Sequence, residues 1–204
     1  MLVFIKECLN RLSFWSSADR IGPDMPLTHW MLYLPPFRHY LCRKKFKHFD
    51  PTAELRTGCY IVSCSKIAVG SHVIIRSGSV LMADPREGGH GITIEDDVMV
   101  GQGVHMYVDN HAFHDLSVAI IDQEIYPSKP IVIRRGVWIG ANVVILSGVE
   151  IGENCVIGAG SVVNKSIPAH TIVAPAEVRT VRRCSQTMRN LSLRHSNIVI
   201  DEQP

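Results

Sequence analysis

The feature that most constrains this chain is a six-residue repeat that runs unbroken through residues 133–168. Divided into sixes, that stretch reads IRRGVW, IGANVV, ILSGVE, IGENCV, IGAGSV and VNKSIP. Every unit begins with a β-branched aliphatic residue, and Gly, Asn and Ser crowd the positions that follow. A period of six matches neither the 3.6-residue period of a helix nor the two-residue period of a simple strand. The repeat therefore predicts a solenoid, in which one short unit is stacked many times.

The period is explained by a short strand followed by a tight corner, with three units making one triangular coil of 18 residues. Strands of successive coils then pair in parallel about 4.8 Å apart, and stiff β-branched residues suit their buried positions. Each leading residue stacks inside the prism on its counterpart one coil away. The predicted stacks are Ile133 on Ile151, Ile139 on Ile157, and Ile145 on Val163. The expected fold class is an all-β solenoid, a parallel β-helix.

The same register occurs nearer the N-terminus, where it is interrupted. Its leading apolar residues there are Leu55, Ile61, Val69, Ile75, Leu81, Ile94, Val100 and Met106. The two main interruptions are a polar, glycine-rich segment at 83–91 and a longer segment at 108–130. Rigid scaffolds commonly carry functional residues on such loops, and a loop of about twenty residues is uncommon unless it is functional. We therefore expect the functional site near these segments.

The length of 204 residues indicates one domain with appendages. We expect a helical capping segment at 1–50, a β-helix domain at 51–175 that extrudes the loop 108–130, and a tail at 176–204. Residues 25–48 hold an apolar stretch broken by two prolines and then a basic stretch. Such a segment is typical of helical fragments that cover the first coil of a solenoid.

The N-terminus, MLVFIKECLNRLSFW, is apolar but too short and too charged to cross a bilayer. A helix here would carry one apolar stripe, formed by Leu2, Phe4, Ile5, Leu9 and Leu12. We expect this stripe either to pack on the body or a neighbouring subunit, or to make a peripheral membrane contact. The basic residues 43–45 and Lys47 leave a similar choice between a solvated surface and a surface that faces anionic lipid.

Bulk charge and cysteine usage narrow the functional classes. The net charge is +2 with Lys and Arg scattered along the chain, so nothing indicates nucleic-acid binding. The six cysteines lack the paired spacing of a zinc site, and we expect no metal. Because no secretory leader is recognisable, a cytoplasmic location is expected, with membrane association left open.

The repeat and the long loop together resemble the hexapeptide-repeat acyltransferases, and among them the sugar O-acetyltransferases of the galactoside and maltose type. Residues 110–111 (Asn-His) match the step at which the family's loop leaves the coil. Residues 129–131 (Lys-Pro-Ile) match its return, and residues 136–140 (Gly-Val-Trp-Ile-Gly) match the coil that follows. The resemblance covers roughly residues 55–175. It implies a left-handed β-helix that transfers an acetyl group from acetyl-CoA to a sugar hydroxyl.

The resemblance also implies that His111 is the general base, and elementary chemistry agrees. Acetyl transfer to a hydroxyl needs a base that takes the proton while the oxygen attacks the thioester carbon. Imidazole titrates near neutrality and suits that role. Because no Ser or Cys nucleophile stands in a recognisable motif, direct transfer is favoured over an acyl-enzyme.

Contacts with the acceptor are expected from both loops and from one coil. Asp84 stands where the family presents a carboxylate near the acceptor, and Asn110 directly precedes the base. Ser77 stands where the galactoside enzymes carry an acceptor-binding Asn, so the identity of the sugar stays open. His114 is expected beside the base or the acceptor. Asp115 is explained equally well as a contact to the base or sugar and as a solvated loop charge.

The resemblance implies that acetyl-CoA lies in a groove between neighbouring prisms. Trp138 would edge the thioester channel, and the backbone amides of Ala141 and Ala159 would meet the pantetheine arm. The family's Gly-x-Pro-Ala-Lys/Arg loop, which holds the adenine end, is not reproduced at residues 171–178, where Glu177 replaces a base. Other residues must then hold the CoA phosphates, and the candidates are Lys165, Arg179, Arg182 and Arg183.

Three-fold packing would bury two walls of each prism, so we expect a homotrimer. The resemblance implies that the loop 108–130 reaches a neighbouring chain. Three other functions stay open. The acceptor could be the amine of an amino sugar, which the sequence barely separates from a hydroxyl. The chain could be a carbonic-anhydrase-like metal enzyme that uses His105, His111 and His114, or a non-catalytic scaffold on the same fold.

Overall fold

The structure of the protein is a computed structural model that describes residues 2–174 and 179–183. Its N-terminal segment is helical and contains α1 (Leu2–Ser17), α2 (Pro26–Met31) and α3 (Pro35–Lys45). Proline occupies the first turn of α2 and of α3, where its missing N–H is not needed and its φ is already helical. Among the described residues, no helix combines the length and the hydropathy that crossing a membrane requires.

Short strands separated by turns make up most of the rest of the described chain. In chain order they are β1 (Arg20–Ile21), β2 (His48–Phe49), β3 (Glu54–Leu55), β4 (Tyr60–Val62), β5 (Ile67–Val69), β6 (Ile74–Ile75), β7 (Val80–Met82), β8 (Ile92–Ile94), β9 (Met99–Val100), β10 (His105–Tyr107), β11 (Ile131–Ile133), β12 (Trp138–Ile139), β13 (Val144–Ile145), β14 (Glu150–Ile151), β15 (Val156–Ile157), β16 (Val162–Val163), β17 (Thr171–Ala174) and β18 (Arg179–Arg183). Single-turn 3-10 helices lie at Cys64–Lys66 and Ile120–Asp122.

The chain winds through three sheets in turn, as the six-residue period predicts. The first sheet contains β2, β5, β8, β11 and β14; the second contains β3, β6, β9, β12, β15, β17 and β18; and the third contains β1, β4, β7, β10, β13 and β16. Neighbouring coil strands pair in parallel, whereas β1 on β4 and β18 on β17 pair in the antiparallel sense. The result is a triangular prism. Residues 179–183, which were expected in the tail, extend the second sheet.

Aliphatic columns fill the interior of the prism. The three predicted stacks, Ile133 on Ile151, Ile139 on Ile157 and Ile145 on Val163, are confirmed as partners in adjacent parallel strands. Each of these six residues is at most 1% exposed. Since burying one such side chain contributes about 1.5–3 kcal/mol, the columns are the main stabilising element.

The interior extends beyond the first coil into the helical segment. Ile21, Leu32 and Leu41 are buried and belong to the same apolar cluster as the coils. Lys45, at the end of α3, donates from Nζ to the backbone oxygens of Ser16, 3.1 Å away, and Ala18. The helices are thereby fastened to each other and to the first coil, whose end would otherwise expose apolar side chains.

Every insertion in the repeat lies at one corner of the prism. Aligned positions 133 and 151 are 18 residues apart, but 94 and 133 are separated by 39, 69 and 94 by 25, and 49 and 69 by 20. The extra residues all fall between the third sheet and the first. We call this edge, formed by residues 63–66, 83–91, 108–130, 146–148 and 164–166, the histidine corner. The edge between the second and third sheets, at residues 76–78, 101–103, 140–142 and 158–160, is the small-residue corner.

Candidate active site

The longest insertion, residues 108–130, forms an arm whose base is closed by hydrogen bonds. The backbone oxygen of Val108 accepts from the Lys129 N–H at 3.0 Å and from the Ser147 hydroxyl at 2.6 Å. The Lys129 N–H also donates to Ser147 Oγ at 3.1 Å. Ser147 belongs to the next coil, so the arm leaves a rigid wall at a defined point.

Above its base, the arm is a short two-stranded ladder that fixes the backbone of His111. The Tyr126 N–H donates to the oxygen of Asn110 at 2.9 Å, and the Ala112 N–H donates to Glu124 at 2.8 Å. His111 itself pairs with Ile125 in an antiparallel bridge. The imidazole is exposed on this ordered backbone, which leaves it free to meet a substrate.

The imidazole lies on the wall of a cleft of about 460 Å³, which is within the usual size range of small-molecule sites. The lining residues are Tyr107, Asp109, Asn110, His111, Ile125, Leu146, Ser147 and Asn164. Two of the residues singled out from the sequence, His111 and Asn110, therefore share one cleft. Tyr107, Ser147 and Asn164 were not singled out, because they belong to regular coils and look like ordinary strand and corner residues.

Asp84 is at the same corner, where it forms an ion pair with Arg86. Its side chain is 2% exposed, and Oδ1 accepts from the backbone N–H and the Nε of Arg86 at 2.9 and 2.8 Å. Oδ2 accepts from a terminal nitrogen of Arg86 at 2.7 Å. The hydrogen bonds from Arg86 hold the pKa of Asp84 well below its usual range. An acceptor contact at Asp84 would have to displace Arg86, so this geometry favours a supporting role.

His114 and Asp115 lie farther out on the arm, beyond the cleft lining. The His114 ring stacks on Tyr126, and its Nδ1 is 3.3 Å from the Tyr126 hydroxyl. Asp115 Oδ1 accepts from the N–H and the hydroxyl of Ser117 at 2.9 and 2.6 Å. These bonds lower the pKa of Asp115. Within one chain, both side chains therefore order the tip of the arm.

The small-residue corner holds the other predicted contacts. Ser77, Ala141 and Ala159 lie on this edge, and Trp138, half exposed, lies on the adjoining second sheet. Successive coils approach closely here: a Cβ at Gly140 would lie 2.5 Å from the Ala159 nitrogen. A row of glycine and alanine residues beside an exposed indole fits a slender amide-containing chain such as pantetheine, because small side chains let a ligand approach the backbone amides closely.

Of the residues expected to hold the CoA phosphates, the side chain of Lys165 is described and that of Arg182 is not. Lys165 is exposed at the histidine corner, next to Asn164 of the cleft lining. The side chain of Arg182 lies outside the described residues, as do Glu177 and its neighbours, although the backbone of Arg182 pairs with Ile172. In the described part of the chain, no three His, Cys, Asp or Glu side chains converge as metal ligands. His105 instead places Nδ1 2.8 Å from the Tyr107 hydroxyl.

The residues predicted from the sequence therefore lie on two different edges of the prism. His111 and Asn110 are at the histidine corner, whereas Ala141 and Ala159 are at the small-residue corner. The third sheet, with its outward residues such as His105, separates the two edges. A single chain does not bring the imidazole and the small-residue edge together.

Comparison with known proteins gives the family. The model of the bacterial transferase hexapeptide family, with six repeats, matches residues 130–165. Galactoside O-acetyltransferase of Escherichia coli strain K12 is 34% identical over 146 residues, which cover 71% of this chain and 68% of that protein.

Solved structures agree with this assignment. A hexapeptide-repeat-containing acetyltransferase from Vibrio cholerae O1 biovar eltor, in complex with acetyl-coenzyme A, superposes with a TM-score of 0.66 at 28% identity, over 80% of this chain and 91% of that one. A galactoside acetyltransferase in complex with coenzyme A gives 0.68 at 27% identity, over 85% and 86%. The implied left-handed winding is confirmed by these relationships. The chain belongs to the hexapeptide-repeat acetyltransferases, and it is an acyltransferase that uses acetyl-CoA.

Proposed function

We propose that the protein transfers the acetyl group of acetyl-CoA to a hydroxyl of a sugar, in a polysaccharide, its precursor or a small glycoside, with His111 as general base. The cleft at the histidine corner carries this proposal: an imidazole on an ordered ladder faces a cavity sized for a sugar. In this proposal the domain at 51–175 holds the chemistry, the segment 1–50 caps it, and the tail at 176–204 adds Arg182.

The reaction needs one base and no covalent enzyme intermediate. A ring nitrogen of His111 takes the hydroxyl proton while the acceptor oxygen attacks the thioester carbonyl carbon. The carbon–sulfur bond then breaks, and the imidazolium returns the proton to the departing CoA thiolate. The products are an acetyl ester and free CoA. One positioned base contributes typically 10²–10⁴-fold, and holding both substrates together supplies much of the remainder.

The separation of the two corners supports a homotrimer. In the proposed trimer, neighbouring prisms pack around a three-fold axis with the histidine corner of one chain facing the small-residue corner of the next. Trp138, Ala141 and Ala159 of the neighbour would then line the acetyl-CoA groove in front of His111. We expect light scattering to give three times the chain mass of 22.7 kDa. A monomeric mass at assay concentrations would contradict this arrangement.

The remaining predicted contacts take places in this shared groove. Asn110, beside the base, would hold the acceptor, with Ser77 reaching it from the neighbour's small-residue corner. His114 and Asp115 order the arm tip and would meet only an acceptor larger than one sugar ring. Lys165, which follows Asn164 of the cleft lining, and Arg182 would hold the CoA phosphates as cations.

We also propose a cytoplasmic enzyme with a peripheral membrane contact through its N-terminal helices. The side chains of residues 4–14 in α1 are all exposed, including Phe4 and Leu9, so the chain's own β-helix leaves the apolar stripe uncovered from Phe4 to Leu12. Residues 1–50 contain eight Lys and Arg residues and four Asp and Glu residues, so the positive charge is concentrated there, since the net charge of the whole chain is only +2. Exposed Trp30 and Tyr40, the latter with Lys44 5.9 Å from its ring, are typical of a lipid–water interface.

For this contact we expect co-sedimentation with vesicles that contain anionic phosphatidylglycerol, and weaker binding to neutral phosphatidylcholine vesicles or at high salt. Leu9→Glu combined with Trp30→Glu should abolish it, because charge replaces the inserted apolar groups. A chain that stays in the supernatant with both kinds of vesicle would contradict the membrane contact. Vesicle binding would also be absent if a second copy of the chain covered the apolar stripe of α1.

The acceptor class is tested by incubating the protein with acetyl-CoA and a panel of hydroxyl sugars and amino sugars. We expect release of the CoA thiol to depend on hydroxyl sugars and the product to be an ester that mild base hydrolyses. Exclusive formation of base-stable amides on amino sugars would show N-acetyl transfer instead. If no sugar in the panel raises the release of the CoA thiol above the background hydrolysis rate, a sugar acceptor is contradicted.

A further inference from the structure

Arg86, on the first loop of the histidine corner, connects that loop to the arm that carries His111. One of its terminal nitrogens donates to the backbone oxygen of Ile125 and the other to that of Tyr126, each at 3.4 Å. The latter nitrogen also lies 3.8 Å from Asp109 Oδ2. Ile125 and Tyr126 are the residues that pair with the backbone around His111.

The guanidinium is held in place from its other side by a buried carboxylate. Asp84 engages Arg86 through both oxygens, and a two-point contact between planar groups fixes orientation as well as position. Because the hydrogen bonds from Arg86 lower the pKa of Asp84, its carboxyl group is ionised at neutral pH. Lys66 Nζ donates to the backbone oxygens of Asp84, at 2.7 Å, and of Arg86, which ties the first loop to the preceding coil.

Above its base, the arm exposes the side chains of residues 113–122 to solvent. Its tip carries Leu116 and Ile121, both largely exposed, and the hydrogen bonds of Val108 and Lys129 hold only its foot. The two-stranded ladder is short, and an isolated two-stranded hairpin is at best marginally stable in water. A rigid group that binds the middle of the ladder therefore restricts the direction in which the imidazole points.

We propose that Arg86 is a positioning residue for His111, acting through Ile125 and Tyr126, with Asp84 as its anchor. The proposal rests on His111 being the base and adds the means by which that base is aimed. It assigns to Asp84, expected from the family to meet the acceptor, the task of orienting an arginine.

The test compares Arg86→Gln and Arg86→Lys with the wild type. We expect kcat to fall about 10-fold in Arg86→Gln with little change in the KM for acetyl-CoA, because a misaimed base slows the chemical step. Arg86→Lys should recover only part of the loss, since an ammonium cannot reproduce the planar fork. The matched control is Arg135→Gln, an exposed arginine paired with Asp97 at the remaining corner of the prism, which should keep normal kcat.

A double-mutant cycle separates aiming from an independent catalytic effect. If Arg86 acts through His111, adding Arg86→Gln to His111→Ala should cause no further loss of kcat. A further 10-fold loss in the double variant would overturn the proposal, as would a normal kcat in Arg86→Gln.

Hydrogen exchange of the Ala112 and Tyr126 amides gives a readout that needs no activity. We expect both amides to exchange faster in Arg86→Gln, while Val144 in the third sheet is unchanged. Unchanged exchange on the arm would contradict the proposal even if kcat falls. If His111→Ala kept normal activity, the base assignment would fail, but the exchange experiment would still decide whether Arg86 orders the arm.

Arg86→Gln leaves the buried carboxylate of Asp84 without its partner, which by itself destabilises a fold. The variant Asp84→Asn with Arg86→Gln removes the pair together and keeps neutral side chains of similar size. We expect this variant to fold and to show the same loss of kcat and the same faster exchange. Wild-type kcat in the folded pair variant would overturn the proposal.

Discussion

His111→Ala is expected to lower kcat by at least ~10²-fold, because it removes the proton acceptor for the sugar hydroxyl. The KM for acetyl-CoA should change little, since in the proposed trimer the groove for pantetheine is formed by other residues, on the small-residue corner of a neighbouring prism. Loss in kcat without loss of thioester binding is the pattern of an interaction made only in the transition state. Steady-state kinetics with a fixed acceptor measure both constants.

The control for this variant is His48→Ala, which removes an exposed imidazole on the outer face of β2 in the first sheet. We expect it to keep the wild-type rate. A near-normal kcat in His111→Ala would remove the base assignment and leave the acceptor to be deprotonated by some other group. Equal losses in both variants would point to a general effect on folding.

Ile139→Ala is expected to lower the free energy of unfolding by about 2–5 kcal/mol. Its side chain is fully buried, between Val100 and Ile157 in the column of the second sheet. Truncation loses apolar burial and leaves a cavity that a rigid stack of coils cannot close. Urea unfolding at a fixed protein concentration measures the loss, because an oligomer's stability depends on concentration.

The matched control is Ile74→Ala in the same sheet, whose side chain points outward and is partly exposed. It removes the same atoms from a position where water already reaches, so we expect a clearly smaller loss. Similar losses at the two positions would contradict the description of the interior columns as the main source of stability.

The interior could be predicted from the sequence because its physics is repetitive. Ile139 and Ile157 each occupy an equivalent place in a coil of constant length, so burial leaves a period that can be counted. The same constancy reveals the arm, because a step longer than six residues marks added chain. The spacing of the leading residues also places all insertions at one corner, because the longer steps, 61–69, 81–94 and 106–133, each recur after three units.

The candidate site was predicted only in part. His111 lies in an insertion, and the Asn110-His111 pair matches the family's sequence where the loop leaves the coil, so two signals identify it. Arg86 was not predicted as a site residue, although the loop that holds it was noted. Its contacts with residues 125 and 126 span some forty residues and follow no regular spacing. The distribution of the site over two corners also has no sequence signal, because it depends on how separate chains pack.

The most direct test of the account is a crystal structure of the protein with CoA and an acetylated or acceptor sugar. We expect a three-fold trimer in which the CoA sulfur lies between His111 of one chain and Trp138 of its neighbour. The acceptor hydroxyl should be within hydrogen-bond distance of the imidazole. An imidazole that faces bulk solvent, with CoA bound away from any inter-chain groove, would contradict the account.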